Sequence, residues 1–245
     1  MSYLTNPYRY AVADCDFTDD FTSYPNQASA DAVYPRSYQS DEQTQICEVN
    51  VSDDDMEMLC PDVSENLYGA CTRQADCSVD DTAWVMRWNN YCSAVTQSGG
   101  NSARCFVGMS DEAYTGGVTT VPAQSGIGLL SQTQATINSY YSFAEEDGEI
   151  LGSDGKGTQF SSVDPTVGDR DYIEVIRTSS TTYTVEFFSN SSYTTSIEQE
   201  SDSCASSLTS LNFMSFKLQS STTGSILGFD IADVAFADAV TVYPT

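Results

Sequence analysis

The feature that most constrains this chain is a series of short alternating segments separated by small polar residues. Tyr172-Ile173-Glu174-Val175-Ile176-Arg177 sets Ile173, Val175 and Arg177 on one side, and Tyr183-Thr184-Val185-Glu186-Phe187-Phe188 does the same with Tyr183, Val185 and Phe187. Leu211-Asn212-Phe213-Met214-Ser215-Phe216-Lys217-Leu218 and Phe229-Asp230-Ile231-Ala232-Asp233-Val234-Ala235-Phe236 repeat the pattern, and Trp84, Met86 and Trp88 alternate with Val85 and Arg87 earlier on. A side-chain period of two, rich in β-branched and aromatic residues, is the signature of strands. Between these segments lie clusters such as Thr178-Ser179-Ser180-Thr181-Thr182, Ser189-Asn190-Ser191-Ser192 and Ser220-Ser221-Thr222-Thr223-Gly224, which are turn material. No long amphipathic helix and no fixed-period repeat interrupts the series. The prediction is an all-β, antiparallel two-sheet sandwich of jelly-roll type. At 245 residues, 40% of them hydrophobic, the chain is large enough to fill one such sandwich.

Charge excludes several function classes. Asp and Glu number 35 against 9 Lys and Arg, a formal net charge of −26, and there is no histidine. Nucleic-acid affinity rests on cations that neutralise phosphates, so no nucleic-acid partner is expected. Without histidine there is no Ser-His or Cys-His catalysis and no His-ligated metal. No apolar run approaches the roughly 20 residues needed to span a bilayer. The opening Met-Ser-Tyr-Leu-Thr-Asn-Pro-Tyr-Arg-Tyr lacks a charged region followed by an apolar one, so synthesis without a signal peptide is expected. The acidity suits a soluble surface, and equally a salty medium that screens self-repulsion.

The cysteines point the other way. Cys15, Cys47, Cys60, Cys71, Cys77, Cys92, Cys105 and Cys204 are eight, and six of them fall between positions 47 and 105. An even number so concentrated predicts a local disulfide framework, whose pairing the sequence does not assign. Disulfides imply oxidising surroundings, reached here after release from the cell of synthesis. The other reading of the same residues is a set of buried free thiols. Residues 1–20, with Tyr3, Tyr8 and Tyr10 among acidic residues, read as an arm that docks on a neighbouring subunit, ahead of a domain over 21–245.

The order of segments carries a resemblance. Asp19-Asp20-Phe21-Thr22-Ser23-Tyr24, Gln27-Ala28-Ser29-Ala30-Asp31, Asp81 to Trp88, Asp171 to Arg177, Tyr183 to Ser189 and Leu227 to Phe236 occur in the sequence and spacing of concanavalin A-like (laminin-G-like) jelly-roll domains of marine viruses and marine archaea. The resemblance covers roughly residues 17–240. It implies two packed antiparallel sheets, calcium as a cofactor and a glycan site on the loops or the concave face. The corresponding family segment reads Gly-x-Ile-Asp-Asp-Val, whereas here Gly228-Phe229-Asp230-Ile231-Ala232-Asp233-Val234 separates the acids. Asp230, Asp233 and, in the loop Ser153-Asp154-Gly155, Asp154 are the calcium candidates.

Other constellations are weaker. Glu145-Glu146-Asp147-Gly148-Glu149 has the alternate-acid spacing of laminarinase-like glycosidases, with Glu145, Asp147 and Glu149 on one side of a strand. It lacks their intervening apolar residues, and no catalytic residue is assigned. Trp84 and Trp88 face one way and suit a core better than a sugar platform. Asn50-Val51-Ser52 and Asn190-Ser191-Ser192 fit the glycosylation pattern. Gly126-Ile127-Gly128 lacks the third glycine and the lysine of a phosphate loop. The expectation drawn from all of this is a non-enzymatic, disulfide-braced structural protein of a virion surface: a capsid decoration, turret or fibre-type subunit. It would be self-associating, in contact with other virion proteins, and attached to host polysaccharide. The alternative is a secreted or surface-layer lectin-like module of a marine microbe that binds glycans.

Overall fold

The computed structural model describes residues 10–11, 17–38, 46–60, 67–75, 79–97, 102–112, 124–134, 137–148, 155–220, 225–238 and 241–242. The strands in chain order are β1 (Tyr10–Ala11), β2 (Phe17–Asp19), β3 (Arg36–Tyr38), β4 (Ile46–Asn50), β5 (Asp55–Cys60), β6 (Leu67–Gln74), β7 (Trp84–Thr96), β8 (Ser102–Ser110) and β9 (Gln124–Gln134). They continue with β10 (Ile137–Gly148), β11 (Lys156–Gln159), β12 (Arg170–Arg177), β13 (Thr182–Phe188), β14 (Ser196–Ser203), β15 (Phe213–Ser220), β16 (Ile226–Asp238) and β17 (Thr241–Val242). Among the described residues one short helix, α1 (Gln27–Val33), interrupts them, started by Asn26, whose side-chain oxygen accepts from the Ser29 N–H at 3.0 Å. Among the described residues no helix is long and apolar enough to cross a membrane.

Two sheets carry the fold, and every pairing in them is antiparallel. The first has the order β11-β10-β9-β8-β15-β6-β3 and the second the order β14-β13-β12-β7-β16-β5-β4, with β2 added along β16. β1 pairs with β17 separately. The predicted two-sheet sandwich is therefore the fold, and the alternation read from the sequence decides which side chains meet inside it. Trp84, Met86 and Trp88 from β7, Ile173 and Val175 from β12, Tyr183, Val185 and Phe187 from β13, and Met214, Phe216 and Leu218 from β15 all enter one core. Trp84 and Trp88 are fully buried there, as core and not as a sugar platform. Each such aromatic removes about 150–250 Å² from water, which makes the central strands the most strongly held.

The two edges close differently. At one edge Asp202 of β14 bonds the Ser142 hydroxyl of β10 and accepts from the Thr158 N–H of β11 at 3.0 Å. At the other edge small thiols let the sheets approach closely. Cys47 Sγ lies 3.3 Å from the Phe216 carbonyl, and Cys60 Sγ lies 3.4 Å from that of Arg104.

This edge corrects the disulfide expectation. Cys47, Cys60, Cys71, Cys92, Cys105 and Cys204 are all free thiols, and the first five are buried. Cys60 and Cys105 come closest, with sulfurs 3.8 Å apart, a thiol contact and not a bond. Their inward strand positions explain the count: cysteine behaves here as a small core residue. Burial pushes the Cys71 and Cys105 thiols well up, so they stay protonated and unreactive. Cys15 and Cys77 lie outside the described residues.

Of the expected arm, Phe17–Asp19 is strand β2, with Phe17 opposite Phe236. Asp19 accepts from the Phe21 N–H at 2.8 Å and from the Tyr34 hydroxyl at 3.1 Å. Residues 1–9 and 12–16 are outside the described set.

Candidate functional site

The sequence-predicted candidates are scattered by the fold. Asp230 lies on the outer face of the second sheet, opposite Glu57 of β5. Its neighbours Asp53, Asp55 and Glu57 are carboxylates, and burial with their mutual repulsion pushes the Asp55 carboxyl up to about 6. Asp233 sits apart in an irregularity of β16, at φ +53°, and accepts from the Asn89 amide at 2.7 Å. Among the described residues no three acids or thiols converge as a cation site, and Asp230 and Asp233 stand at separate positions of β16. Asp154, Glu149 and the side chain of Asp147 lie outside the described residues, and Glu145 stands on β10 opposite Gly126. The amide of Asn50 is held by Asp53 at 2.9 Å and Glu57 at 3.1 Å, and Asn190 accepts from Ser192 at 2.8 Å. Gly126 and Gly128 are interior residues of β9, not a loop.

What the fold assembles is the outer face of the first sheet. Antiparallel register puts directly opposed residues on the same face. One row runs Tyr68, Gln219, Arg104, Gln132 and Ser139 across β6, β15, β8, β9 and β10. The next row runs Lys217, Phe106, Leu130, Tyr141 and Gln159. In the third, Ser215 leads to Gly108, Gly128 and Phe143. The two glycines are needed there: a Cβ on Gly128 would lie 2.3 Å from the Val107 carbonyl, and the Phe106 ring lies against both. Phe106, Leu130 and Phe143 form a small apolar floor with Tyr68 and Tyr141 packed at its margin.

Polar groups surround that floor. The Gln219 amide donates to the Tyr68 hydroxyl at 2.8 Å, and the Gln159 amide donates to the Ser139 hydroxyl at 3.0 Å. The Lys156 ammonium bonds the Gln132 side-chain oxygen and lies 4.7 Å from the centre of the Tyr141 ring. Lys217, buried, bonds the Gln124 side-chain oxygen. Tyr68, Arg104, Tyr141 and Lys156 are half-buried, so this end of the face reaches solvent. Burial and the neighbouring Arg104 charge pull the Lys156 ammonium down to about 8; burial alone pulls Lys217 down to about 7, against Asp111 and Glu112. Phe106, Leu130, Phe143, Gln132 and Gln219 are buried beneath these half-buried groups and hold them in place; the Tyr68 and Tyr141 rings with the Arg104 and Lys156 cations suit a ligand that is polar at its edges and apolar on its faces, as a sugar ring is. Sequence reading missed Tyr68, Arg104, Gln132, Tyr141, Lys156 and Lys217, because only their register shows that they share a face.

No family model matches the chain, and no curated protein sequence matches it. Solved structures do. The metal-free carbohydrate recognition domain of Emp46p is similar at 8% identity with a TM-score of 0.55, covering 92% of this chain and 98% of that domain. The chain has a legume-lectin-like fold. A legume lectin-like domain from Entamoeba histolytica is similar at 9% identity and TM-score 0.51, over 94% and 99% of the two chains. Lectin II from Ulex europaeus is similar at 11% identity and TM-score 0.51, over 90% and 97%. The concanavalin A-like part of the sequence resemblance is thereby met, and these neighbours are carbohydrate-binding proteins.

Proposed function

We propose that this chain is a lectin-like module that binds carbohydrate on the solvent-reaching end of its first sheet. The observation that carries this is the single face on which Tyr68, Arg104, Tyr141 and Lys156 reach solvent, supported from below by Gln132 and Gln219, on a fold whose solved neighbours are lectins. The face offers hydroxyls, amides and tyrosine rings, the groups by which a sugar is recognised. The polysaccharide partner expected from the sequence fits this reading. A place on a particle surface rests on the sequence resemblance alone and adds nothing to the chemistry of the face.

The test is a glycan array followed by titration of the best oligosaccharide into the native chain and into Tyr68→Ala and Gln132→Ala. Saturable binding, weakened about tenfold in both variants with melting temperatures near that of the parent, is the expected result. A chain that binds no glycan, or variants that bind as the parent does, would refute the assignment.

A further inference from the structure

Cations are scarce in this chain, and their placement is uneven. It has only two lysines among its 9 basic residues, against 35 acidic ones. Both lysines stand on the outer face of the first sheet, and Arg104 stands there with them. With so many carboxylates available, a lysine is expected to find one. Neither Lys156 nor Lys217 forms an ion pair among the described residues; each ammonium bonds a glutamine oxygen, and Asp111 and Glu112 act on Lys217 alone. An ammonium has three donors, and the Gln132 oxygen takes one of those on Lys156.

Lys156 is also held in place. The Tyr141 ring lies beside its ammonium at 4.7 Å, a contact that fixes a cation without neutralising it. Gln132, which it bonds, is directly opposite Arg104 in the register of β8 and β9. Two positive groups therefore flank one glutamine, and their mutual repulsion is felt at Lys156. At physiological salt a Debye length of about 8 Å screens the more distant carboxylates from this pair.

Resting on the carbohydrate reading above, we infer that the preferred ligand is an acidic glycan, whose carboxylate or sulfate ester is received between Lys156 and Arg104. The sugar bearing that group lies over the row from Gln132 to Tyr68. Lys156 supplies a directed charge, and the tyrosine and glutamine that hold it position it for the oxyanion. Discrimination against neutral sugars follows, because a neutral ring offers the Lys156 ammonium no oxyanion.

The experiment is calorimetric titration of the native chain at 150 mM NaCl with three sets of oligosaccharides: neutral β-glucan and mannan, oligogalacturonate, and sulfated galactan. The expected result is binding of the carboxylated or the sulfated set at least tenfold tighter than of the neutral set. Whichever acidic set binds identifies the oxyanion. Lys156→Gln is expected to lose at least tenfold for the acidic ligand while its melting temperature and any neutral-sugar binding stay unchanged, and Lys156→Arg is expected to retain most of the affinity. Neutral sugars bound as tightly as acidic ones, or an unaffected Lys156→Gln, would overturn the inference and leave the carbohydrate reading standing. Absence of binding by all three sets would overturn the carbohydrate reading itself.

Discussion

Arg87 carries a charge into a place almost without solvent. Its side chain and that of Glu174 are each 1% exposed, and two guanidinium nitrogens reach Glu174 Oε2 at 2.6 and 2.5 Å. Tyr193 covers the pair from the 189–195 turn: its ring centre lies 4.5 Å from the guanidinium carbon, and its hydroxyl donates to the Trp88 carbonyl at 3.0 Å. Glu186, also buried, stands directly opposite Glu174 on β13. A buried ion pair adds little over a well-packed apolar pair, but removing one partner leaves the other charge stranded. Arg87→Met keeps most of the stem and removes the charge. It is expected to lower the unfolding free energy by about 3–5 kcal/mol, read as a lower urea midpoint at an unchanged slope. The double variant with Glu174→Gln should lose less, because the Glu174 charge is then not stranded. A single variant that unfolds at the parent midpoint would show that Glu174 is relieved some other way.

Between β8 and β9, glycine faces glycine, and neither position has room for a side chain. Gly108 and Gly128 face each other, and a Cβ on Gly128 would sit 2.3 Å from the Val107 carbonyl and 2.8 Å from the Gly108 Cα. Both obstacles are backbone, so the strands themselves would have to part. Gly128→Ala is expected to cost about 1–3 kcal/mol, the usual range for overpacking, and to disturb the Phe106 ring beneath the candidate site. Thermal unfolding with near-ultraviolet circular dichroism checks both effects, and an unchanged melting temperature would show that the sheet yields. The same strands show what the sequence reveals and what it hides. β12, β13 and β16 are legible because their apolar residues alternate. β9 and β10 are not: Ser131 and Thr133 point inward, while Leu130 and Phe143 are buried on the outer face. Mixed polarity on both faces erases the period of two. The thiols are illegible for a related reason, since inward spacing on strands looks the same for a core residue as for half of a disulfide. The binding face is hidden most deeply. Arg104, Gln132 and Lys156 belong to three separate strands, and nothing in their local sequence says that β8, β9 and β11 share a sheet.

At the scale of the whole molecule the excess of acid becomes a dependence on pH. Burial, together with Asp230, Asp53 and Glu57, pushes the Asp55 carboxyl up to about 6, and burial pushes Asp171 up to about 6 although the Tyr140 hydroxyl donates to it at 2.7 Å. An unfolded aspartate titrates near 3.9. Between about pH 4 and pH 6 the folded chain therefore binds protons that the unfolded chain does not, and its stability rises as pH falls through that window. Asp20, Asp80 and Glu198, held low by hydrogen bonds, act in the opposite sense, but only below about pH 4.5, where their unfolded counterparts begin to protonate. The depressed ammonium groups of Lys217 and Lys156 act from about pH 7 upward. The interval from pH 7 to pH 5 thus isolates the raised carboxylates. Across it the melting temperature is expected to rise by a few degrees at 150 mM NaCl, on the usual scale of 2–4 °C per kcal/mol for a chain of about this size. Asp55→Asn should melt higher than the parent at pH 7 and gain less on acidification. Relief of general charge repulsion would instead survive Asp55→Asn and shrink in 500 mM NaCl, so the two causes separate in calorimetry. A parent chain that melts lower at pH 5 than at pH 7 would show that carboxylates stabilised by their charge outweigh Asp55 and Asp171.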